Sequence, residues 1–425
     1  MGFVKNYQQL ATDENRKVVL ELVEAAIASI QPDEIFRQNF SIQNGILKIQ
    51  SKSYNLSDFD HVYLLGYGKG AAGNCKLIEP VIGEKLTGGY VIDVTDEKFS
   101  KIEFTLGTHP LPSPQNLEFT KKIIDKLSHL SQRDLVIMVT CGGGSVMLES
   151  PHNLTLDQMI QVNSALLHCG ADIREMNAVR KHLDVVKGGG LSQIFYPAKI
   201  VNLIFSDVPG NNLSVIASGP TVKDESTLVD AETVIKKYNL NEKLGTIETN
   251  FIESPKEEKY FENVDNILFL SNDTALLAMQ KRAEELGQKA IVSTNSFQDD
   301  ANVAGRSLIE ATQAGTILLV GGETSVKVSG KGKGGRNQQL VLSALSSITQ
   351  GVVICSFDSD GWDNSEAAGA IGDLETARKA KEAGLDIQKF LEDNNSFAFF
   401  ESVGDAILTG RLPSNVSDLM VVFKA

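Results

Sequence analysis

What the sequence has little of narrows its class before any motif is read. Four cysteines occur in 425 residues, Cys75, Cys141, Cys169 and Cys355, and no two form a C-x-x-C pair. Neither a disulfide framework nor a cysteine-based zinc site is suggested. No apolar run approaches the roughly 18–20 residues of a membrane helix. The longest runs, Leu135–Val139 and Thr316–Val320, are short and β-rich. The polar stretch from Met1 to Leu10 lacks the apolar segment of a signal peptide. Positive charge is in deficit: 40 Lys+Arg against 54 Asp+Glu leave a net charge of −14, with a pI near 5.0. That argues against nucleic acid or an anionic membrane as the main partner, since both need a basic face. It leaves room for an anionic small substrate held by a local cluster of Lys and Arg. Repeats, low-complexity tracts and coiled-coil heptads are absent, and the expectation is a soluble, cytoplasmic protein.

What is present is core material and ordered punctuation. Hydrophobic residues make up 42% of the chain, and its length exceeds the roughly 250–300 residues at which one core stops growing. Two domains are expected. After a helix at about Glu14–Ser29, strand-like runs at His61–Leu65, Tyr90–Val94, Leu135–Thr140 and Ile200–Phe205 alternate with helical spacing at Gln115–Leu130, Leu156–Cys169 and Asp172–Leu183. This alternation predicts βαβ units and a parallel sheet. The polar stretch from Asn241 to Val264 suits a boundary, placing domains at 1–245 and 246–425. Beyond it a second series follows, with strands at Ile267–Leu270, Ala290–Ser293, Ile317–Val320 and Val352–Phe357.

Of the 36 glycines, the excess over an average share is clustered at strand-to-helix turns. The first cluster, Gly66-Tyr67-Gly68-Lys69-Gly70-Ala71, reads as G-x-G-x-x-A, with Asp93 near the place of a ribose-binding acid. Lys69 inside the turn suits a carboxylate or phosphate better than a dinucleotide. A dinucleotide, another anion and a purely structural turn all remain open readings. The second cluster, Thr140-Cys141-Gly142-Gly143-Gly144-Ser145, could point successive N–H groups at an anion. It lacks the closing glycine of a G-x-S-x-G elbow, so Ser145 reads as a phosphate or hydroxyl contact rather than a nucleophile.

Polar residues then crowd residues 170–220. Asn177, Arg180 and Lys181 fall within one helical turn, Lys187 precedes three glycines, and Asp207 ends a strand, where metal ligands and general bases sit in open sheets. A third cluster runs Gly321-Gly322-Glu323-Thr324 and then Gly330-Lys331-Gly332-Lys333-Gly334-Gly335-Arg336-Asn337-Gln338. It is not a Walker loop, yet a triply cationic loop entering a helix fits a polyphosphate, with Arg336 able to bridge two oxygens. Asp358, Asp360 and Asp363 offer three carboxylates within six residues, suitable for a divalent cation.

In this order the motifs resemble the glycerate 2-kinases of the MOFRL (type-1, hydroxypyruvate-region) family. The resemblance is carried by Gly66-Tyr67-Gly68-Lys69-Gly70, Thr108-His109-Pro110-Leu111-Pro112, Gly142-Gly143-Gly144-Ser145 and Asn177-Ala178-Val179-Arg180-Lys181-His182-Leu183. It continues through Lys187-Gly188-Gly189, Ser206-Asp207-Val208-Pro209-Gly210, Ala217-Ser218-Gly219-Pro220-Thr221, Gly321-Gly322-Glu323-Thr324, Gly334-Gly335-Arg336-Asn337-Gln338 and Glu366-Ala367-Ala368-Gly369-Ala370. It implies an α/β protein with a Rossmann-like, parallel-sheet N-terminal domain, a smaller α/β MOFRL C-terminal domain and an active site in the cleft between them. It also implies ATP-dependent phosphorylation of the D-glycerate 2-hydroxyl, giving 2-phosphoglycerate and ADP, with Mg²⁺ or another divalent cation. The partners expected are D-glycerate and ATP, with neither nucleic acid nor membrane. A homodimer is compatible with the sequence, which does not specify one.

On this reading Lys69, Arg336 and Asp207 are the catalytic candidates, with Asp207 and Asp360 as metal ligands. Gly68, Gly143, Gly144, Ser145, Asn177, Arg180, Lys187, Glu323, Gly335 and Asn337 are the expected substrate and phosphate contacts, and the 331–335 loop an anion cradle. The chain departs from the family pattern at Asn211, where Asp is common, at Gly190, where a basic residue is common, after Asp363, and across Gly410–Val416. The rival reading is an NAD(P)-dependent oxidoreductase built on the Gly66–Ala71 turn.

Overall fold

The computed structural model describes residues 2–245, 247 and 249–425. The chain divides into two compact units. The first comprises the chain up to Ile35, Asp207–Asn211 and Leu270–Ala425; the second comprises Phe36–Ser206 and Asn212–Phe269. The single boundary expected between residues 245 and 246 gives way to a discontinuous division, for a reason visible in the helix Glu14–Ser29. Asp13 caps that helix by accepting from Arg16 N. The Arg16 side chain, fully buried, donates to Asp373 Oδ2 at 2.6 Å, Asp405 Oδ1 at 2.9 Å and Thr376 Oγ1 at 2.7 Å. A buried guanidinium needs such partners to offset lost hydration, and these lie more than 350 residues away in sequence. The N-terminal helix therefore belongs with the C-terminal half.

The second unit opens with three short antiparallel strands, β1 (Phe40–Gln43), β2 (Ile46–Ile49) and β3 (Lys52–Asn55). Asn44 and Gly45, both at positive φ, turn β1 into β2, the Asn-Gly chemistry of a tight hairpin. The main sheet follows: β4 (His61–Tyr67), β5 (Gly88–Asp93), β6 (Ile102–Leu106), β7 (Asp134–Thr140), β8 (Lys199–Phe205) and β9 (Val264–Leu270), in the order β6-β5-β4-β7-β8-β9. β6 through β8 pair in parallel throughout. Every residue of β7 is buried, as expected of a strand covered on both faces. Leu65, Val136 and Met138 pack there with Phe119, Ile123 and Phe195. Counted from β4, the order is 3-2-1-4-5-6, which reverses between β4 and β7; ligands of such sheets bind beyond the strand C-termini at that reversal.

The sheet of the first unit is mixed. Its strands are β10 (Ala290–Phe297), β11 (Thr316–Gly322), β12 (Val352–Asp358), β13 (Gly369–Gly372), β14 (Ala406–Ile407) and β15 (Asp418–Lys424), in the order β10-β11-β15-β12-β13-β14. Only β10 and β11 pair in parallel; β15 runs antiparallel between β11 and β12. Among the described residues no helix is long and apolar enough to cross a membrane, and none of the four cysteines is in a disulfide.

Candidate active site

The first two glycine clusters lie at the strand-order reversal, one after β4 and one after β7. Their backbones touch: Cys141 N donates to Tyr67 O at 3.0 Å and Lys69 N to Gly142 O at 2.8 Å. Gly68 makes this approach possible, because a Cβ there would stand 2.5 Å from Cys141 O. The Lys69 side chain is exposed at the tip of the turn, with no ion pair among the described residues. Gly143, at φ +76, leaves room for the His109 ring. The amides of Gly142 and Gly143 have no acceptor among the described residues. Against Gly144 packs Ala217, the first of three consecutive residues, Ala217, Ser218 and Gly219, at positive φ. For the two non-glycine residues that conformation costs on the order of 1–3 kcal/mol each, a type of strain that concentrates at functional sites.

Two expected anion cradles already hold carboxylates of the chain itself. Asp93, buried at the end of β5, accepts from Ala72 N at 2.9 Å and Val94 N at 2.6 Å. It thereby caps the helix Ala71–Ile82 instead of standing ready for a ribose. Burial raises its pKa, opposed by these backbone donors. In the first unit Asp363 does the same for the helix Arg336–Ala344, accepting from Asn337 N at 3.1 Å and Gln338 N at 2.9 Å. A Cβ on Gly335 would collide with that carboxylate. The amides of the 329–333 loop are likewise taken: Ser329 N and Gly330 N donate to Asn394 Oδ1, Lys331 N to Asp393 Oδ1 and Lys333 N to Asn395 Oδ1. The amides of the 329–333 loop are therefore not open to an anion.

Around Ser145 the second unit holds a pocket of about 340 Å³. Two helices supply part of its wall, Leu156–His168 and Ile173–His182, each started by a capping box, Thr155/Gln158 and Asp172/Glu175. Arg180 donates through Nε to Asn163 Oδ1 at 2.8 Å, and burial lowers its pKa. Lys187 is buried, 3.2 Å from Glu149 Oε1 and 3.1 Å from Asp184 Oδ2. Burial alone would lower the pKa of this ammonium, but Asp184 and Glu149 outweigh that and hold it above the ordinary lysine value. Lys187 thus anchors Glu149. The other oxygen of that carboxylate, Oε2, is buried with no partner among the described residues, and burial raises the pKa despite Lys187. Asn177 is buried, and its Nδ2 also lacks a partner.

In the first unit Arg336 is ringed by carboxylates. It donates through Nε to Asp418 Oδ2 at 2.6 Å and through Nη1 to Glu323 Oε1 at 2.6 Å, and Nη2 lies 3.5 Å from Asp358 Oδ2. β12 and β15 place Asp358 and Asp418 directly opposite each other. Burial raises the pKa of Asp418 to about 6 against the pull of Arg336, and burial with Asp418 and Asp360 nearby raises that of Asp358 well above the carboxylate range. Asn337 is fully buried, donating through Nδ2 to Asp418 Oδ1 at 2.8 Å and accepting from Ser356 Oγ; it braces the carboxylate that holds Arg336. Half-buried Asp360 accepts from Trp362 N at 2.8 Å. Asp207 is half-buried in the short Asp207–Asn211 segment. Where the family pattern has an acid, Asn211 donates to Asp273 Oδ2 at 2.9 Å, so an acid stands at Asp273 instead.

The expected residues therefore fall into two groups, one per unit: Gly68, Lys69, Gly143, Gly144, Ser145, Asn177, Arg180 and Lys187 in the second, and Asp207, Glu323, Gly335, Arg336, Asn337 and Asp360 in the first. Sequence reasoning passed over Asp418 and Glu149. Asp418 opens a strand that was not anticipated, and Glu149 sits in an apolar stretch; an isolated acid among core residues was the available signal. Among the described residues no three His, Cys, Asp or Glu side chains gather as a metal cage. The donor set fits a Mg²⁺ carried by a triphosphate, which asks for only one or two protein carboxylates.

Residues 18–253 match a family described as a domain of unknown function (DUF4147), and residues 316–418 match the MOFRL family. The chain is 32% identical over 423 residues to a D-glycerate 2-kinase of Thermotoga maritima, covering 96% of this chain and 97% of that protein. It is 33% identical to a glycerate 2-kinase of Pyrococcus horikoshii, covering 96% of each. A crystal structure of the glycerate kinase from Thermotoga maritima superposes with a TM-score of 0.84 at 31% identity, covering 96% of this chain and 99% of that one.

Proposed function

The chain belongs to the glycerate 2-kinase family that joins DUF4147 and MOFRL regions, and from that premise we propose that it transfers the γ-phosphoryl group of ATP to the 2-hydroxyl of D-glycerate, releasing ADP. The observation that carries this reading is the contrast at the first glycine turn. Asp93, which a dinucleotide ribose would need, is occupied as a helix cap, while Lys69 presents at the strand-order reversal an ammonium with no ion pair among the described residues.

Phosphoryl transfer asks little covalent chemistry of a protein; it is mainly positioning and charge stabilisation. Lys69 and the Gly142–Ser145 turn are assigned to phosphate oxygens, the turn through its open amides and the Ser145 hydroxyl. Arg336 adds a second cation, kept in one orientation by Asp418 and Glu323. Asp207 either accepts the proton of the attacking hydroxyl or, with Asp360, holds the divalent cation. Mg²⁺ bound to the triphosphate would draw off the charge developing there.

The test is ADP release from purified protein given ATP and D-glycerate, with 2- and 3-phosphoglycerate resolved afterwards. Formation of 2-phosphoglycerate is expected. Absence of ADP release, or oxidation of a reduced nicotinamide cofactor with hydroxypyruvate, would overturn the reading.

A further inference from the structure

The pocket beside Ser145 has a chemistry that D-glycerate does not explain. One wall is the Pro110–Pro112 loop; another is a face of the helix Leu156–His168, presenting Ile160, Asn163, Ser164 and Leu167 at helical spacing. Carbon dominates these surfaces, whereas D-glycerate is a carboxylate and two hydroxyls on three carbons and has no apolar face to bury. At about 340 Å³ the space lies within the range of about 300–1,000 Å³ typical of small-molecule sites, which combine apolar walls with a few placed polar groups.

Among the polar groups that line it, two have unused hydrogen-bonding capacity. Glu149 is 2% exposed, with Oε1 held by Lys187 and Oε2 buried without a partner. A buried polar atom left unpaired costs about 1–3 kcal/mol, so Oε2 is an acceptor awaiting a donor. Arg180 uses Nε for Asn163, and its two Nη groups make no hydrogen bond among the described residues. One acceptor and one set of donors thus share an apolar slot, next to a glycine turn with open amides.

We propose that this pocket holds the purine base of the nucleoside triphosphate. The ring lies between Pro110–Pro112 and the Ile160/Leu167 face, Glu149 Oε2 accepts from a ring-edge N–H, and Arg180 donates to a neighbouring ring nitrogen or carbonyl. The inference rests on the reading of ATP as phosphoryl donor. It places the base on the β7 side of the strand-order reversal, opposite the β5 side where Asp93 is already occupied. Adenine and guanine both pair an acceptor with a donor along one edge, as the slot asks; pyrimidines do so too, and the purine is chosen because ATP is the phosphoryl donor of the proposed reaction.

The test uses the full chain and three substitutions. Ile160→Trp fills the slot, Glu149→Gln turns part of the acceptor into a donor at constant size, and Leu167→Glu charges an exposed part of its wall. Each variant is first compared with wild type by circular dichroism and thermal melting. KM for ATP and for D-glycerate are then measured separately, and binding of phosphate-free adenosine and guanosine is followed by saturation-transfer NMR. A KM for ATP raised about tenfold or more in Ile160→Trp, with KM for D-glycerate within about twofold, together with loss of nucleoside binding, is the expected result. Raised KM for D-glycerate with that for ATP unchanged, neither KM changed, or no nucleoside binding to wild type, would overturn it. Adenosine bound more tightly than guanosine, or the reverse, supports the proposal and identifies the base. If wild type released no ADP with D-glycerate, the kinase reading would fail on its own; nucleoside binding that Ile160→Trp abolishes would still support the base site.

Discussion

In the second unit a glycine-rich turn carries Lys69, whose ammonium is exposed and has no ion-pair partner among the described residues; in the first a glycine-rich loop is followed by Arg336, ringed by Asp418, Glu323 and Asp358. At the level of sequence the two look alike, a cation at the start of a helix after a strand. In both units the helix N-terminus itself is already capped by a buried aspartate, Asp93 or Asp363. The difference lies in what surrounds the side chain. Lys69 carries no structural duty, and any role it has is toward a ligand. Arg336 neutralises carboxylates that β12 and β15 force together, so removing it disturbs the fold as well as any ligand contact.

The widest separation between the units should come from deleting each cation. Arg336→Ala leaves Asp358 and Asp418 opposed without a counter-charge; breaking a fully buried ion pair from one side costs about 3–5 kcal/mol, an upper bound here because Arg336 is half-buried. Urea unfolding should show a loss of that order together with loss of turnover. Lys69→Ala should lower kcat by about 10²–10³-fold, the scale of removing one preorganised electrostatic contact, while unfolding midpoints shift by less than about 0.5 kcal/mol. A stable Arg336→Ala protein, or a Lys69→Ala protein with near-normal kcat, would erase the distinction.

The units should also respond to acid in opposite directions. Asp418 titrates near 6 in the fold, above its unfolded value of about 3.8. Its ionisation therefore weakens the folded state at neutral pH, and that penalty is relieved as pH falls from about 6 to about 4. In the second unit burial of Asp265 is outweighed by Lys199, Lys52 and Tyr54, which bring its pKa down to about 2. Its contribution is present above about pH 4 and lost as pH falls toward 2. Urea midpoints of wild type relative to Asp418→Asn should rise between pH 6 and 4; relative to Asp265→Asn they should fall between pH 4 and 2. Flat differences in both series would count against the assigned environments.

These contrasts mark where the sequence was legible. β4, β7 and β8 are largely apolar runs, Asn202 of β8 apart, because both faces are covered, and the glycine clusters at the ends of β4 and β7 stand out against them. β15 went unnoticed: a central antiparallel strand arriving from the end of the chain breaks the alternation that makes βαβ units readable. The hairpin at Asn44-Gly45 carried a local turn signal that was passed over in strands only four residues long. Arg16 could not be read as the anchor of the N-terminal helix, because its partners Asp373 and Asp405 are remote in sequence. For the candidate site the residue types were visible, but their occupancy was not. Whether an aspartate caps a helix, braces an arginine or faces a ligand depends on contacts made after folding.

The smallest expected effect concerns the loop before Arg336, whose two lysines dominate it in sequence. Its backbone is held by side chains from the 393–395 turn: Asn394 Oδ1 accepts from Ser329 N at 2.8 Å and Gly330 N at 2.9 Å. Lys333 reaches an exposed Glu366 and lies 4.9 Å from the centroid of the Phe397 ring. Exposed pairs of this kind contribute about 0–1 kcal/mol, whereas each part-buried amide that loses its acceptor forfeits a hydrogen bond with a net value of about 0.5–1.5 kcal/mol. Lys333→Ala should shift the unfolding midpoint by about 0.5 kcal/mol or less and leave amide exchange at Ser329 and Gly330 unchanged. Asn394→Ala should lower stability by about 1–2 kcal/mol and accelerate exchange at both amides. If the lysine substitution were the one to loosen the loop, the charge pattern would set its shape. If the asparagine does, the polar turn that packs under it fixes the backbone from which Arg336 projects.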